Sequence, residues 1–415
     1  MTDIKTFGVL CDGSCEREKI QRAIDVCAEK GEVLEFTEGL YITTALELKN
    51  NSHIYLDEKA VIKASENEND WKNCNLHPLI NAVEKENIVI EGTGRIDCSG
   101  DKYHDFDGNR SLGWRPETTM NFQMCKNVKL MDFTAGNSIA WTVHFNDCDY
   151  VGIERVVLRN PDWWCAKSND GFDINGCRHV TIKNCDVEVG DDGICLKNYH
   201  DGEERKPMFD IKISDCIVRS TCGALKIGTE TQGDIYDVNI ENIRIEDHRN
   251  PNIFRHPDFG GHTLTAIAIH SNDGGYIHDI TFKNIYATCA NTPIAMIQQK
   301  RFNMVKEPKM GKIANILIDG LTVERAQRAN QINVGEGGLA ENITIKNVKI
   351  NLYEDYKGEY KAIVPESRCY PDGYAYGHMP AYSLFARRVK NLSYEENIRV
   401  VDVFNTGRPA VIIEG

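Results

Sequence analysis

A short apolar-x-apolar pattern returns nine times along this chain of 415 residues. It reads IVIEG at 88–92, VKLMD at 128–132, VGIER at 151–155, VTIKN at 180–184 and IKISD at 211–215. It continues as VNIEN at 238–242, ITFKN at 280–284, ILIDG at 316–320 and ITIKN at 343–347. Alternation with a period of two is the mark of a strand with one buried face. All but VGIER end in Asn, Asp or Gly, residues that start turns. The start positions are separated by 40, 23, 29, 31, 27, 42, 36 and 27 residues. Such spacing, uneven above a minimal coil, predicts a right-handed parallel β-helix with loops inserted at some turns. A propeller would need about four strands in every ~40–45 residues, and a sandwich is the other all-β rival; neither has the required evenness. Asn184, Asn242, Asn284 and Asn347 fall where residues could stack from coil to coil, and are read as architecture.

Only the first stretch breaks the pattern. In GSCEREKIQRAIDVCAEKGE, Ile20, Ala23, Ile24, Cys27 and Ala28 recur at helical spacing. Ser14 is the expected N-cap, Glu16 and Glu18 lie near the first turn, and Gly31 closes the end. The expected organisation is one domain over 1–415, with residues 1–32 as a helical cap covering strand edges that would otherwise invite aggregation. A Tyr-rich, Pro/Gly-punctuated segment at 353–382 is expected to fold over the cleft end and favour attack from chain ends.

Net charge is −14, which excludes the electrostatic footprint of a nucleic-acid binder. No apolar run approaches ~18 residues, so no membrane span is expected. The start MTDIKTFGVLCDGS has no basic stretch followed by an apolar one. Fifteen cysteines, an odd number without a CxxC pattern, fit buried reduced thiols. The expectation is a cytoplasmic protein of undetermined oligomeric state.

The chemistry-bearing stretch is SNDGFDINGCRHVTIKNCDVEVGDDGICLKN at 168–198. Asp170 and Asp191 are 21 residues apart, close to one coil without insertion. Residues one coil apart stack at about 4.8 Å, which sets Asp170 beside the Asp191–Asp192 pair. Carboxylates so close repel, and one of them takes a raised pKa. That is the need of acid-assisted hydrolysis, in which one carboxyl protonates a leaving oxygen and another activates water. Gly190 and Gly193 are read as hinges that bend both aspartates into one cleft. Turn chemistry accounts for any one of these aspartates alone, and a calcium site is a second alternative for the cluster.

At these residues the chain resembles glycoside hydrolase family 28, the polygalacturonase family. SNDGFDINGC resembles the family's NTDG-type motif and VGDDGICLKN its GDD motif. The likeness extends over EGLYITTALELKNNSHIYLDEKAVIKAS (38–65), IEGTGRIDCSG (90–100), 127–161, IGTET (227–231) and the tail 379–415. The tail and IGTET resemble bacterial, often intracellular, members. The resemblance implies inverting hydrolysis, with Asp191 as general acid and Asp170 and Asp192 positioning water. Three family motifs are changed. Asn-Thr before the first aspartate is Ser168-Asn169; the GHG histidine position holds Cys222 or Gly223; and RIK is replaced by AIAIH, with Ala268 and His270 at its charged positions. Alanine cannot reproduce the planar fork by which guanidinium holds a carboxylate.

Further residues are expected to touch substrate: Asn169, Lys197, Cys222, Lys226, Glu230, His270, and Trp141 and Trp164 as stacking surfaces, with Trp163 beside the latter. Lys197, Lys226 and His270 are the cations that remain for a uronate. His248, His256, His262 and His270 match no zinc spacing, so no metal or cofactor is expected. The reading is an inverting glycosidase on an oligosaccharide, pectin-derived and exo-acting, with specificity changed by the lost motifs. Its rivals are a Ca-dependent polysaccharide lyase and a non-catalytic glycan-binding β-helix.

Overall fold

The computed structural model describes residues 1–72, 74, 78–102, 118–160, 168–200, 205–249, 262–301, 309–366 and 370–415. By packing, the chain divides into two compact units, Met1–Asp191 and Asp192–Gly415. The boundary falls between the paired aspartates. Each unit is a stack of parallel strands in the right-handed β-helix arrangement.

The pentads are rungs of a single face in each unit. In the first, Ile88, Val128, Val151 and Val180 pair in register, as do Ile90, Leu130, Ile153 and Ile182. In the second, Ile211, Val238, Ile280, Ile316 and Ile343 align, two positions before Ile213, Ile240, Phe282, Ile318 and Ile345. All are buried. A one-residue slip would turn each apolar column outward, so burial itself fixes the register. Phe122 and Phe145 stack on adjacent rungs, ring centroids 4.7 Å apart.

The turns behave as the asparagines suggested. Asn184, Asn242, Asn284 and Asn347 adopt positive φ of 53–57°, a conformation Asn tolerates better than most residues. Asn284 donates to Asn242 at 3.1 Å, and Asn397 to Asn347 at 2.8 Å. A second set of left-handed residues stands just before the pentads, among them Asn315, Asn342 and Asn391. These three form their own ladder, with steps of 2.9 Å. Each rung is therefore bent at both ends.

The predicted helix spans Arg17–Lys30 and buries the five apolar positions expected, closing at Gly31 with φ 67°. Ser14 is not its cap. Glu16 holds the N-cap position, and its carboxylate instead accepts the backbone N–H groups of Leu10 and Cys11. Ser14 donates to Asp12. No helix among the described residues is long and apolar enough to cross a membrane. The thirteen described cysteines are free thiols, ten of them buried. Three sit in a column, with the N–H groups of Cys125 and Cys148 each 3.3 Å from the next sulfur.

Candidate active site

In the first unit, the turn before strand Phe172–Asn175 carries Asn169 and Asp170. Asp191 N–H donates to the Asn169 carbonyl at 3.3 Å, and Gly190 N–H to the Asn169 side chain at 3.3 Å. Residues 21 apart are thus one coil apart, as the spacing required. The Asp191 carboxylate accepts the Ser168 N–H at 2.6 Å. Asp170 is buried, and its carbonyl takes both the N–H and the hydroxyl of Thr142, at 2.9 and 2.7 Å.

Asn169 has no exposed surface. Its amide donates to the Ser138 carbonyl and its oxygen accepts from Asn160, whose own oxygen accepts Ser138 N–H at 3.0 Å. A buried polar network of this kind holds a backbone in one geometry. Asn169 therefore positions the aspartates from behind, where the sequence had suggested a substrate contact. Trp141 is half-buried, its ring tilted on His144 at 4.7 Å. Trp163, Trp164 and His256 lie outside the described residues.

The second unit begins with Asp192, 3% exposed. Its Oδ1 accepts Gly223 N–H at 2.9 Å and its Oδ2 the Lys226 ammonium at 2.6 Å. Burial pushes this carboxyl upward, but Lys226, Lys197 and the Gly223 N–H outweigh it and hold it at about 2. Lys226 is fully buried too; burial opposes its charge, and Asp192 raises its pKa well above the ordinary value. The pair is ionised at any ordinary pH. Gly223 lies close as well: a Cβ there would sit 3.0 Å from Asp192 Oδ1, so any larger residue would have to displace that carboxylate slightly.

Gly190 and Gly193 are not hinges in the expected sense, since neither has positive φ. Gly193 answers to crowding instead: a Cβ would lie 2.4 Å from Val218 Cγ1 and 2.7 Å from the Ala224 carbonyl. Cys222 is buried against Leu264, with Tyr374 packed beside them.

Two charged groups that the sequence did not announce, Arg301 and Asp273, join Glu230 in this half. Arg301 binds both oxygens of Asp273, at 3.0 and 2.7 Å, and reaches Glu230 Oε1 at 3.0 Å. Glu230 Oε2 lies 3.9 Å from Lys197 Nζ. Burial raises the Glu230 pKa, yet Lys197, Arg301 and Lys226 bring it below the usual range. The Tyr370 hydroxyl oxygen accepts from Lys226 Nζ (3.2 Å) and from Thr229 Oγ1 (2.9 Å). Around it, Gln331 bonds the Gly373 carbonyl and Tyr376 bonds Gln299 at 2.8 Å. The Tyr-rich segment thus lies along strands Gly223–Thr231 and Asn330–Val334 of its own unit.

His270 corrects an expectation. It is fully buried, and burial, followed by Lys226, lowers its pKa to about 3. A neutral imidazole offers no charge to a uronate. Neither of its nitrogens has a hydrogen-bond partner.

The glycosyl hydrolases family 28 model matches residues 35–363. This chain belongs to family 28. The matched stretch contains Asp170, Asp191, Asp192 and the Lys226 and Arg301 pairs, and ends before Tyr370. Among relatives, an endo-polygalacturonase of Pectobacterium parmentieri is 23% identical over 265 residues, 58% of this chain and 64% of the relative. A polygalacturonase of Persea americana is 24% identical over 205 residues, covering 48% and 44%. The family 28 chain therefore spans less than two thirds of the length of these relatives. Its fold is similar to the Yersinia enterocolitica family 28 exopolygalacturonase, with a TM-score of 0.69, 18% identity and coverage of 99% and 77%. An exopolygalacturonase of Thermotoga maritima gives 0.65 and 20%, covering 85% and 86%.

Proposed function

We propose that this family 28 protein hydrolyses a glycosidic bond of a pectin-derived oligosaccharide with inversion, working from the chain end. The observation that carries the reading is the fixed charge of Asp192, peptide-bonded to Asp191. A carboxylate held ionised cannot donate a proton, so Asp192 orients the attacking water. Asp191, its neighbour, then protonates the leaving oxygen, and Asp170 assists the water. Inversion requires the acid and the water-holding carboxylate to be about 6.5–9.5 Å apart.

The polygalacturonase names of the relatives support a pectic substrate, and the changed motifs support a specificity other than plain polygalacturonase. Tyr370 on Lys226 supports exo-action, because it places the 353–382 segment beside the residues that hold Asp192. The free thiols support a reducing compartment.

The test is product release from pectic oligosaccharides and aryl glycosides, comparing wild type with Asp191→Asn. Asn keeps an oxygen for the Ser168 N–H, so the variant should fold while losing at least 100-fold in kcat, and wild type should release monosaccharide. Random mid-chain products would end the exo reading. An unsaturated product absorbing in the ultraviolet and lost in chelator would replace hydrolysis by elimination. Glycan binding without turnover, equal in both proteins, would make this a binding protein.

A further inference from the structure

We propose that Asp247, His262 and Cys289, none of which the hydrolytic reading uses, form a binding site for a thiophilic divalent ion of the zinc class. The three come from different parts of the second unit. Asp247 follows strand Ile235–Ile245, His262 precedes strand Thr263–Ser271, and Cys289 lies within Tyr276–Gln298. Register brings them together, since Ile245 pairs with Ala287 and Thr263 with Ala290. One donor atom from each lies within 4.8 Å of the other two.

The geometry is that of shared ligands more than of a simple ion pair. His262 Nδ1 is buried and 3.0 Å from Asp247 Oδ1, yet the two are not aligned for a hydrogen bond. Ligands at about 2.0–2.2 Å from one tetrahedral ion stand roughly 3.3 Å apart. A sulfur, an imidazole and a carboxylate suit zinc or cobalt and not the oxygen-seeking calcium or magnesium. The carboxylate and thiolate together balance a divalent charge. Arg325, in register with Cys289 and 3.0 Å from His262 Nε2, balances the cluster without an ion. Arg325 is exposed and free to turn outward when an ion enters.

Protons set the conditions. Ion entry releases the thiol proton to solvent and moves the imidazole proton from Nδ1 to Nε2 as Arg325 turns away. Affinity should therefore climb with pH. Asp247 and His262 stand on either side of residues 248–261 in sequence, so the ion would tie the two ends of that insertion to a central strand.

The experiment is titration of the chelator-stripped full chain with Co²⁺ under reducing conditions, read by absorption. The expected result is one ion per chain, with tetrahedral d–d bands and a sulfur-to-cobalt charge-transfer band. Cys289→Ser should lose the sulfur band, and His262→Ala and Asp247→Asn should each weaken binding at least tenfold. Cys222→Ser and Asp191→Asn should titrate as wild type, which keeps this result separate from the fate of the hydrolytic reading. Zn²⁺ should raise the Tm of wild type and not of Cys289→Ser. A wild type without a sulfur band, or a band that survives in Cys289→Ser, overturns the proposal.

Discussion

Lys226 decides what Asp192 can do. Replacing it with Met leaves a buried carboxylate with one N–H donor, and breaking a buried pair in this way costs about 3–5 kcal/mol. Lys226→Met should therefore lower Tm, cut kcat at least 100-fold at neutral pH, and move the acid limb of the pH–rate profile upward as the Asp192 pKa rises. An unchanged profile would remove Asp192 from the chemistry. The pair also has a stability consequence: Asp192 titrates near 2 in the fold against about 3.9 unfolded, so its contribution is present above 3.9 and lost as pH falls through about 2. His270 adds a second acid-sensitive contribution. Its pKa is about 3 in the fold against about 6.5 unfolded. Between these values the unfolded chain takes a proton that the folded chain refuses, so stability falls on acidification by up to about 1.4 kcal/mol per pH unit. His270→Phe should flatten that slope, as measured by denaturant unfolding from pH 7 to 4. It should cost little at pH 7, because no hydrogen bond is lost. Asp170, Asp191, Asp192, Lys226 and Glu230 were legible as residues. Their roles were less so: Lys226 and Asn169 face the protein, and their partners lie on other coils, which sequence order does not reveal.

The pentad is the element that made the fold readable, because alternation and a trailing turn residue are local properties. What it did not show is the left-handed residue that precedes each rung, often Asp, Tyr or His in place of Asn. Those positions follow from the need to turn a chain sharply twice per rung, which composition disguises. Asn284 shows how the turn is held. It has a φ of 53° and donates to the coil before it. Asn284→Gly should keep the conformation and lose the ladder bond, at about 1 kcal/mol. Asn284→Ala should lose both and cost roughly 1–2 kcal/mol more. Equal Tm values for the two variants would show that the bond, and not the backbone, is what matters there. The helix was readable in extent but not in its cap, since Glu16 serves the preceding loop and Ser14 serves Asp12. Gly193 was recognised as necessary, but for bending, whereas coil-to-coil contact is the cause.

For the molecule as a whole, the net charge of −14 would set how the proposed pectic polyanion arrives. Repulsion between them is screened over about 10 Å at 0.1 M salt. Added salt should therefore lower KM for galacturonide oligomers and leave KM for an uncharged glycoside unchanged. A salt-independent KM on both would mean that long-range charge plays no part in capture. The same scale explains which clusters stayed hidden. Arg301 with Asp273 and Glu230, and Asp247 with His262 and Cys289, join residues whose separation includes inserted loops, so no spacing rule finds them. Those insertions have a further meaning. A rung bonds only to the rungs before and after it, so a loop can lengthen between two pentads without altering any other pair. The gaps of 40, 42 and 36 residues against 23 and 27 mark where the spacing most exceeds the shortest coil. Length, and with it any new contact, can be added at a turn while the paired strands stay as they are.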